Sequence, residues 1–413
     1  MENEKLPIKF FAPREVDELR IEGNKNPEKP KWVLQGEELK QRADCLQLSL
    51  DELEAEFSTR KSSPVPFSFI AKLQSDATAK SKREDITNLF QQKSFGGVVG
   101  LTDTNKLIVA LNSLEELKEI SNRIKDYESN DYAISCIEDF EEFVPYIVKE
   151  EKECNYKIKL VDYQNYEQNL AMRRLLEYVL NKEGIDYIKT DYSEEYYIYK
   201  LRNLTEKALD NLEKTDIFNA LFSIEPMPKY MVSLDCLESD NDISIKQPED
   251  EKEYITIGVL DNGIANIPHL LPWMDMKRWS PYPETSINPT HGTFVAGIAL
   301  YGDECEGKNW VSHKGLKIFD ATVFPDTTKE GLDEDELIAN IKDAIRLYHD
   351  KVKIWNLSIS ITREVVDTKF SDFAIALDAI QDEYNVLICK SAGNCKILRL
   401  IVQREEFMRE QIP

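Results

Sequence analysis

Two side chains in this sequence stand where an acid and a base could act together. Asp261 ends the apolar run YITIGVLD, and His291 begins the segment HGTFVAGIA, which is rich in small residues. A carboxylate at the end of a buried strand can accept the Nδ1 proton of a histidine, fix its tautomer and stabilise the imidazolium. A histidine at a helix N-terminus is disfavoured as the cation by the helix dipole, which suits a base that starts neutral. The two residues therefore predict general-base chemistry at the edge of a sheet.

Each of these residues also has an ordinary structural interpretation. Asp261-Asn262-Gly263 is a favourable turn sequence by itself, and a single histidine is more often structural than catalytic. The same holds for Asn394, which follows the run NVLICKSAG, because an asparagine commonly ends a strand in a tight turn. The residue types alone leave both interpretations open.

Three segments in a fixed order add specificity. IGVLDNGI, THGTFVAGIA and KSAGN resemble the motifs of the subtilisin-like (S8) serine proteases, the subtilase family, over about residues 254–394. HGTFVAG differs from that family's His-Gly-Thr-His-Val-Ala-Gly only at Phe294. The resemblance implies a serine endopeptidase in which Asp261 orients His291, His291 is the base, and Asn394 holds the oxyanion.

A fourth segment corresponds to the strand with which the family pairs an extended substrate. Ser358, Ile359 and Ser360 fall where the family has Leu-Gly-Gly, so the resemblance implies substrate-binding residues here. Side chains in place of the two glycines would narrow the specificity pocket. The alternative is an ordinary core strand, and both interpretations can hold together.

The family's nucleophile has no counterpart in this sequence. Residues 395–413 contain nothing similar to the Gly-Thr-Ser-Met-Ala helix start that carries the family's catalytic serine. We expect that KILRLIVQREEFMREQIP is not the native continuation, that the peptidase domain is truncated, and that this chain is inactive. Cys389 and Cys395 are poor substitutes because they lie on the wrong element to face His291.

Composition restricts the compartment and the partners. Lys and Arg number 52 against 76 Asp and Glu, and a net charge of −24 disfavours nucleic-acid binding. The sequence shows neither a signal peptide nor a membrane-spanning run, so we expect a cytoplasmic protein. The seven cysteines have no CxxC spacing, which argues against disulfides and zinc. Without a phosphate loop or a metal-ligand pattern, we expect no cofactor and no metal.

The chain is long enough for two or three domains. A βαββαβ pattern occurs twice, as in ferredoxin-like modules, with YAISCIEDF as the last strand of the first copy. Later strands such as LKIFDATVF are continuous apolar runs, typical of a doubly wound parallel sheet in an α/β domain. The sequence predicts five segments. They are an N-terminal arm and helix (1–62), module 1 (63–148), module 2 (155–226), an acidic linker (227–252) and an incomplete subtilisin-like domain (253–413).

Two functions follow from these patterns. The first is a serine endopeptidase that acts on a protein or peptide substrate and is controlled by a regulatory protein partner. The second is a non-catalytic binding or regulatory protein, a pseudoprotease. In the second case the ferredoxin-like modules, whose fold subtilase propeptides share, would capture a partner or cap the protease face.

Overall fold

A computed structural model describes most of the chain and divides it into two compact units. The described residues are 31–60, 63–74, 77, 83–92, 96–103, 105–150, 154–193, 197–202, 204–231, 243–305, 307, 315–327, 331–359 and 370–391. The first unit holds residues 1–62 and 67–143, and the second holds 63–66 and 144–413.

The first unit is an antiparallel sheet covered by helices. Its strands run in the order β2-β3-β1-β4, which is the ferredoxin-like order that the βαββαβ pattern predicts. The elements are α1 (Gly36–Thr59), β1 (Phe67–Leu73), α2 (Arg83–Phe90), β2 (Gly97–Asp103), β3 (Lys106–Leu111), α3 (Leu114–Lys125), α4 (Asp131–Cys136) and β4 (Ile137–Glu142).

Helix α1 belongs to the same core as this sheet. Its buried residues recur every three or four positions, so one face of the helix packs inward. They are Leu39, Ala43, Leu46, Leu50 and Leu53. The helix predicted within residues 1–62 is therefore present as a packed element.

The segment YAISCIEDF is not one strand, as the sequence pattern suggested. Residues Asp131–Cys136 form the short helix α4, and only Ile137–Glu142 form β4. The Ser135 hydroxyl donates to the Asp131 carbonyl oxygen at 2.6 Å, a bond between positions i and i−4 that a helical turn brings together. Ala133 through Cys136 are all buried, whereas a half-buried strand would alternate.

The second unit begins with another ferredoxin-like sheet, here called module 2. The strand order is β5-β9-β6-β8-β7, which is the same four-strand order with β5 added parallel to β9 at the edge. The elements are β5 (Tyr146–Ile147), β6 (Tyr156–Leu160), α5 (Tyr166–Glu183), β7 (Asp186–Lys189), β8 (Ile198–Arg202), α6 (Glu206–Glu213), a 3₁₀ turn (Asp216–Ala220) and β9 (Leu221–Pro226).

The rest of the second unit is a doubly wound α/β domain, as predicted. Four parallel strands run in the order β12-β11-β14-β15. The elements are β10 (Lys229–Tyr230), β11 (Thr256–Asp261), α7 (Thr290–Cys305), β12 (Lys317–Thr322), β13 (Leu332–Asp333), α8 (Glu334–Tyr348), β14 (Ile354–Leu357), α9 (Asp372–Tyr384) and β15 (Leu387–Lys390), with 3₁₀ turns at Leu271–Trp273 and Glu284–Ser286.

The parallel sheet has an apolar core on each face. Leu260 lies in the core formed with α8 and α9, and its neighbour Val259 lies in the core formed with α7. Because successive strand residues point to opposite faces, the middle of β11 has to be apolar on both faces. In the predicted linker, β10 pairs antiparallel with β13. None of the helices in the described part of the chain has the length and apolar character to cross a bilayer.

Candidate active site

Asp261 is fixed as the last residue of the inner strand β11. It pairs with Thr322 across the β11–β12 ladder, and its carbonyl oxygen accepts from the Val323 amide at 2.8 Å. The residue is 1% exposed. The carboxylate therefore lies, desolvated, at the carboxyl edge of the sheet, where open α/β folds place their sites.

A tight loop follows this strand end and contacts the start of α7. We call residues 262–265 the acid loop. Gly263 has φ +101°, a backbone conformation that residues other than glycine rarely adopt. A Cβ added at Gly292 would lie 2.2 Å from the Gly263 carbonyl oxygen, and the Gly292 amide donates to Asn262 Oδ1 at 2.9 Å. Both glycines are thus required for the close approach of loop and helix.

This approach brings the predicted base to the predicted acid. His291 Nδ1 lies 2.8 Å from Asp261 Oδ1 and 2.9 Å from Oδ2. Asp261 Oδ1 also accepts from the Asn262 amide at 2.8 Å. The His291 side chain is 14% exposed, so the pair lies just below the surface. A proton on Nδ1 leaves the Nε2 lone pair available as a proton acceptor.

The small residues of the segment HGTFVAGIA, which lies in α7, differ in how closely they pack. Gly292 and Ala296 are buried against the sheet. A Cβ at Gly297 would meet no atom within 4 Å, so that position is open. Phe294, the one departure from the family motif, is 46% exposed on the outer side of the helix. It leaves the acid–base pair intact.

A buried ion pair holds the acid loop, and the sequence analysis missed it. The Ile264 amide donates to Asp320 Oδ2 at 2.9 Å, and Arg278 Nη2 donates to the Ile264 carbonyl oxygen. Burial raises the pKa of Asp320, although Arg278 and the other donors oppose the shift. The available signal was an acid inside the apolar strand run LKIFDATVF; nothing in the sequence singled out Arg278.

The predicted substrate strand is described only in part. Ile359 is buried in the core beneath α8 and α9, and its carbonyl oxygen accepts from Lys390 Nζ at 2.9 Å and Ser391 Oγ at 3.1 Å. Ser358 Oγ accepts from Asn356 Nδ2 at 2.8 Å. Ser360 lies outside the described residues. The Ile359 side chain thus lies in the core, as expected if this segment is an ordinary core strand.

The predicted oxyanion residue, Asn394, lies outside the described residues. The strand that leads toward it, β15, pairs with β14 up to the register Leu357–Lys390. Burial lowers the pKa of the Lys390 ammonium. Cys389 is exposed with a free thiol, and Cys395 is also outside the described part of the chain.

One group of acidic side chains has the spacing of a metal site, but a lysine side chain already forms ion pairs with it. Within the described ranges, Asp333, Asp335 and Glu336 are the group whose carboxylate oxygens lie close enough together to share an ion. Lys200 Nζ lies 2.7 Å from Asp333 Oδ2 and 3.0 Å from each of the other two carboxylates. The Lys200 ammonium group therefore already contacts all three carboxylates, and the cluster is a poor candidate for a metal site.

Comparison with known proteins adds two similarities. A family model described as the subtilase family matches residues 252–407. A solved structure, fervidolysin from Fervidobacterium pennivorans, described as a keratinolytic enzyme related to subtilisin, is 15% identical with a TM-score of 0.34. That match covers 61% of this chain and 42% of the fervidolysin chain, so this chain spans less than half of that protein. No curated protein matches the chain.

Proposed function

We propose, because a subtilase family model matches residues 252–407 of this chain, that Asp261 and His291 are the acid and the general base of a serine-peptidase triad. The observation that carries the proposal is the contact of 2.8–2.9 Å between His291 Nδ1 and a carboxylate that is almost wholly buried. Burial removes competing water, and the carboxylate can then orient the ring and stabilise the imidazolium.

In the proposed mechanism a serine attacks the carbonyl carbon of a peptide bond. His291 Nε2 takes the hydroxyl proton and later donates it to the leaving amine, while Asp261 stays ionised and keeps the proton of Nδ1 in place. The Asn394 side-chain amide would donate to the oxyanion of the tetrahedral intermediate. The substrate is therefore a protein or peptide, and residues 358–360 would pair with its backbone.

We propose further that these 413 residues alone do not hydrolyse peptide bonds, because neither of the described serines nearest the predicted substrate strand, Ser358 and Ser391, fits the nucleophile's role. Ser391 Oγ is bonded to the Ile359 carbonyl oxygen, and Ser358 Oγ to Asn356, so neither is directed at His291. A fluorophosphonate probe, which labels activated serines, should leave the purified chain unlabelled. Labelling above that of the His291→Ala variant would refute the proposed inactivity.

The acid–base pair can be tested without turnover. Proton NMR of the 413-residue chain should show a far-downfield signal from the Nδ1 proton of His291, because a proton shared with a buried carboxylate is strongly deshielded. Asp261→Asn should remove the signal. Asp275→Asn is a matched control in the same domain, since Asp275 accepts from Thr256 rather than from a histidine. A wild-type protein without the signal would contradict the proposed pair.

The setting we propose is the cytoplasm, with a protein or peptide substrate, a regulatory protein partner and no nucleic acid. The described cysteines are free thiols, which is typical of a reducing compartment. A net charge of −24 opposes the approach of a phosphate backbone. Cell fractionation would test the location, and salt-dependent retention on DNA-cellulose would test the charge argument.

One observation favours the second candidate, a non-catalytic regulatory protein. Module 2 packs on the α/β domain through buried ion pairs, among them Lys157 with Glu334 and Asp372. A module held in this way could serve as a permanent cover or as a docking element. The test is to titrate the 413-residue chain into an active subtilase. Inhibition at stoichiometric ratios would favour this role, and unchanged turnover would count against it.

A further inference from the structure

The acid loop is the physical link between Asp261 and the helix that carries His291. Beyond the contact between Gly263 and Gly292, the Ala265 amide donates to Thr293 Oγ1 at 2.8 Å. Both ends of the loop are thus tied to the first turn of α7. Any displacement of the loop would therefore move His291 relative to Asp261.

The middle of this loop is held by the ion pair of Arg278 and Asp320. Asp320 Oδ2 accepts from the Ile264 amide at 2.9 Å and from Arg278 Nε at 2.6 Å. Arg278 Nη2 donates to the Ile264 carbonyl oxygen, which closes a ring of three hydrogen bonds. Both backbone polar groups of Ile264 are therefore bound to a charged side chain, and such bonds are stronger and shorter than neutral ones.

The remaining contacts of the pair make it rigid. Thr322 Oγ1 donates to Asp320 Oδ1 at 3.1 Å, so both carboxylate oxygens are used. The segment that follows Arg278 is fastened to the same strand, since the Trp279 amide donates to the Asp320 carbonyl oxygen at 3.0 Å. Arg278 also reaches Glu284, whose side chain is 79% exposed.

Packing alone does not explain a carboxylate at this position. Asp320 is 2% exposed within β12, where its neighbours Phe319 and Ala321 are buried apolar residues. Burying a charge is costly, and an apolar residue of similar volume usually serves stability as well or better. A backbone amide and a carbonyl oxygen that need fixed partners give the charged pair a reason to be there.

We propose that Arg278 and Asp320 are positioning residues that fix the acid loop and so keep Asp261 and His291 within hydrogen-bonding distance. Both side chains act on the pair through the backbone of Ile264. The inference rests on the proposed function of the pair, since it assigns a role in holding that pair. The proposed role concerns how Asp261 and His291 are held before any reaction. It can therefore be tested in a chain that does not hydrolyse a substrate.

The experiment measures exchange of the His291 Nδ1 proton with solvent by NMR in the 413-residue chain. Arg278→Gln and Asp320→Asn each remove a charged bond to the loop. Loss of one such bond, about 1.4 kcal/mol, should speed exchange roughly tenfold while the unfolding transition is retained. Arg278→Lys keeps the charge but not the planar fork, and it should give a smaller increase.

The control is Glu284→Gln, which removes the exposed partner of Arg278 and should leave exchange at the wild-type rate. Wild-type exchange rates in folded Arg278→Gln and Asp320→Asn would overturn the positioning role. If those two variants do not fold, Arg278→Lys decides, since an unchanged rate there would also count against the inference. A wild-type chain that lacks the Nδ1 signal would instead overturn the proposed function, so the two failures are distinguishable.

Discussion

Replacing Lys157 by methionine would remove the ammonium group from a buried ion network between module 2 and the α/β domain. Lys157 lies on β6 with a side chain only 5% exposed, and its Nζ contacts Asp372 and lies 3.2 Å from Glu334 Oε1. Burial alone would lower the pKa of Lys157, but the two carboxylates raise it, so the group is charged at neutral pH. Methionine keeps the length of the side chain without the charge.

The expected loss of unfolding free energy follows from the partners that remain. Removing one partner of a buried ion pair costs about 3–5 kcal/mol, because a charge is left buried and uncompensated. Glu334 keeps hydrogen bonds from Tyr192 at 2.9 Å and Tyr230 at 3.1 Å, and Asp372 keeps Lys159 at 3.0 Å. We therefore expect the lower end of that range, about 3 kcal/mol.

Urea unfolding followed by tryptophan fluorescence would measure this loss. With a urea dependence of about 1–3 kcal/mol per M, the midpoint should fall by about 1 M or more. Lys149→Met is the matched control on the same module, since Lys149 is 53% exposed and pairs only at the surface. Adding Glu334→Gln to Lys157→Met should recover part of the loss. A Lys157→Met midpoint equal to that of the control would refute the reasoning.

Two other changes have defined outcomes. Gly292→Ala would place a methyl group 2.2 Å from the Gly263 carbonyl oxygen and should lower the free energy of unfolding by about 1–3 kcal/mol. Gly297→Ala is the control, because its methyl group meets no atom within 4 Å and should be neutral or stabilising. Equal melting temperatures of the two variants would contradict the contact. Burial favours a higher pKa for Glu177, but hydrogen bonds, chiefly from Lys189, hold it below the ordinary value of 4.5. The stability that Glu177 contributes is therefore present above that value and lost as the pH falls through the lowered pKa. In Glu177→Gln the free energy of unfolding should depend less on pH in this range. The same pH dependence in the variant and the wild type would contradict the prediction.

The parts of the structure that the sequence predicted are those set by local patterns. Apolar runs and turn residues predicted both ferredoxin-like sheets and the parallel sheet, and the short motifs around Asp261 and His291 predicted their meeting. The segment at Asp131–Cys136 was misread because its apolar residues are buried consecutively, and periodicity does not separate a buried helix from a buried strand over so short a length.

The ion pairs could not have been predicted in the same way. Arg278 and Asp320 lie 42 positions apart, and Lys157 lies 177 positions from Glu334. Such partners depend on how finished elements pack, which neither charge counts nor periodicity encodes. The charged residues inside apolar strands, Asp320 in β12 and Lys157 in β6, were the visible signs that partners had to exist.

The lysines of module 2 have a consequence for a broken chain. Lys157, Lys159 and Lys200 contact acids at the starts of α8 and α9, and none of these contacts depends on the covalent connection between residues 231 and 243. A single hydrolytic nick there would leave two polypeptides joined by ammonium–carboxylate bonds. Such a protein should elute as one species in size-exclusion chromatography and separate into two bands only after denaturation.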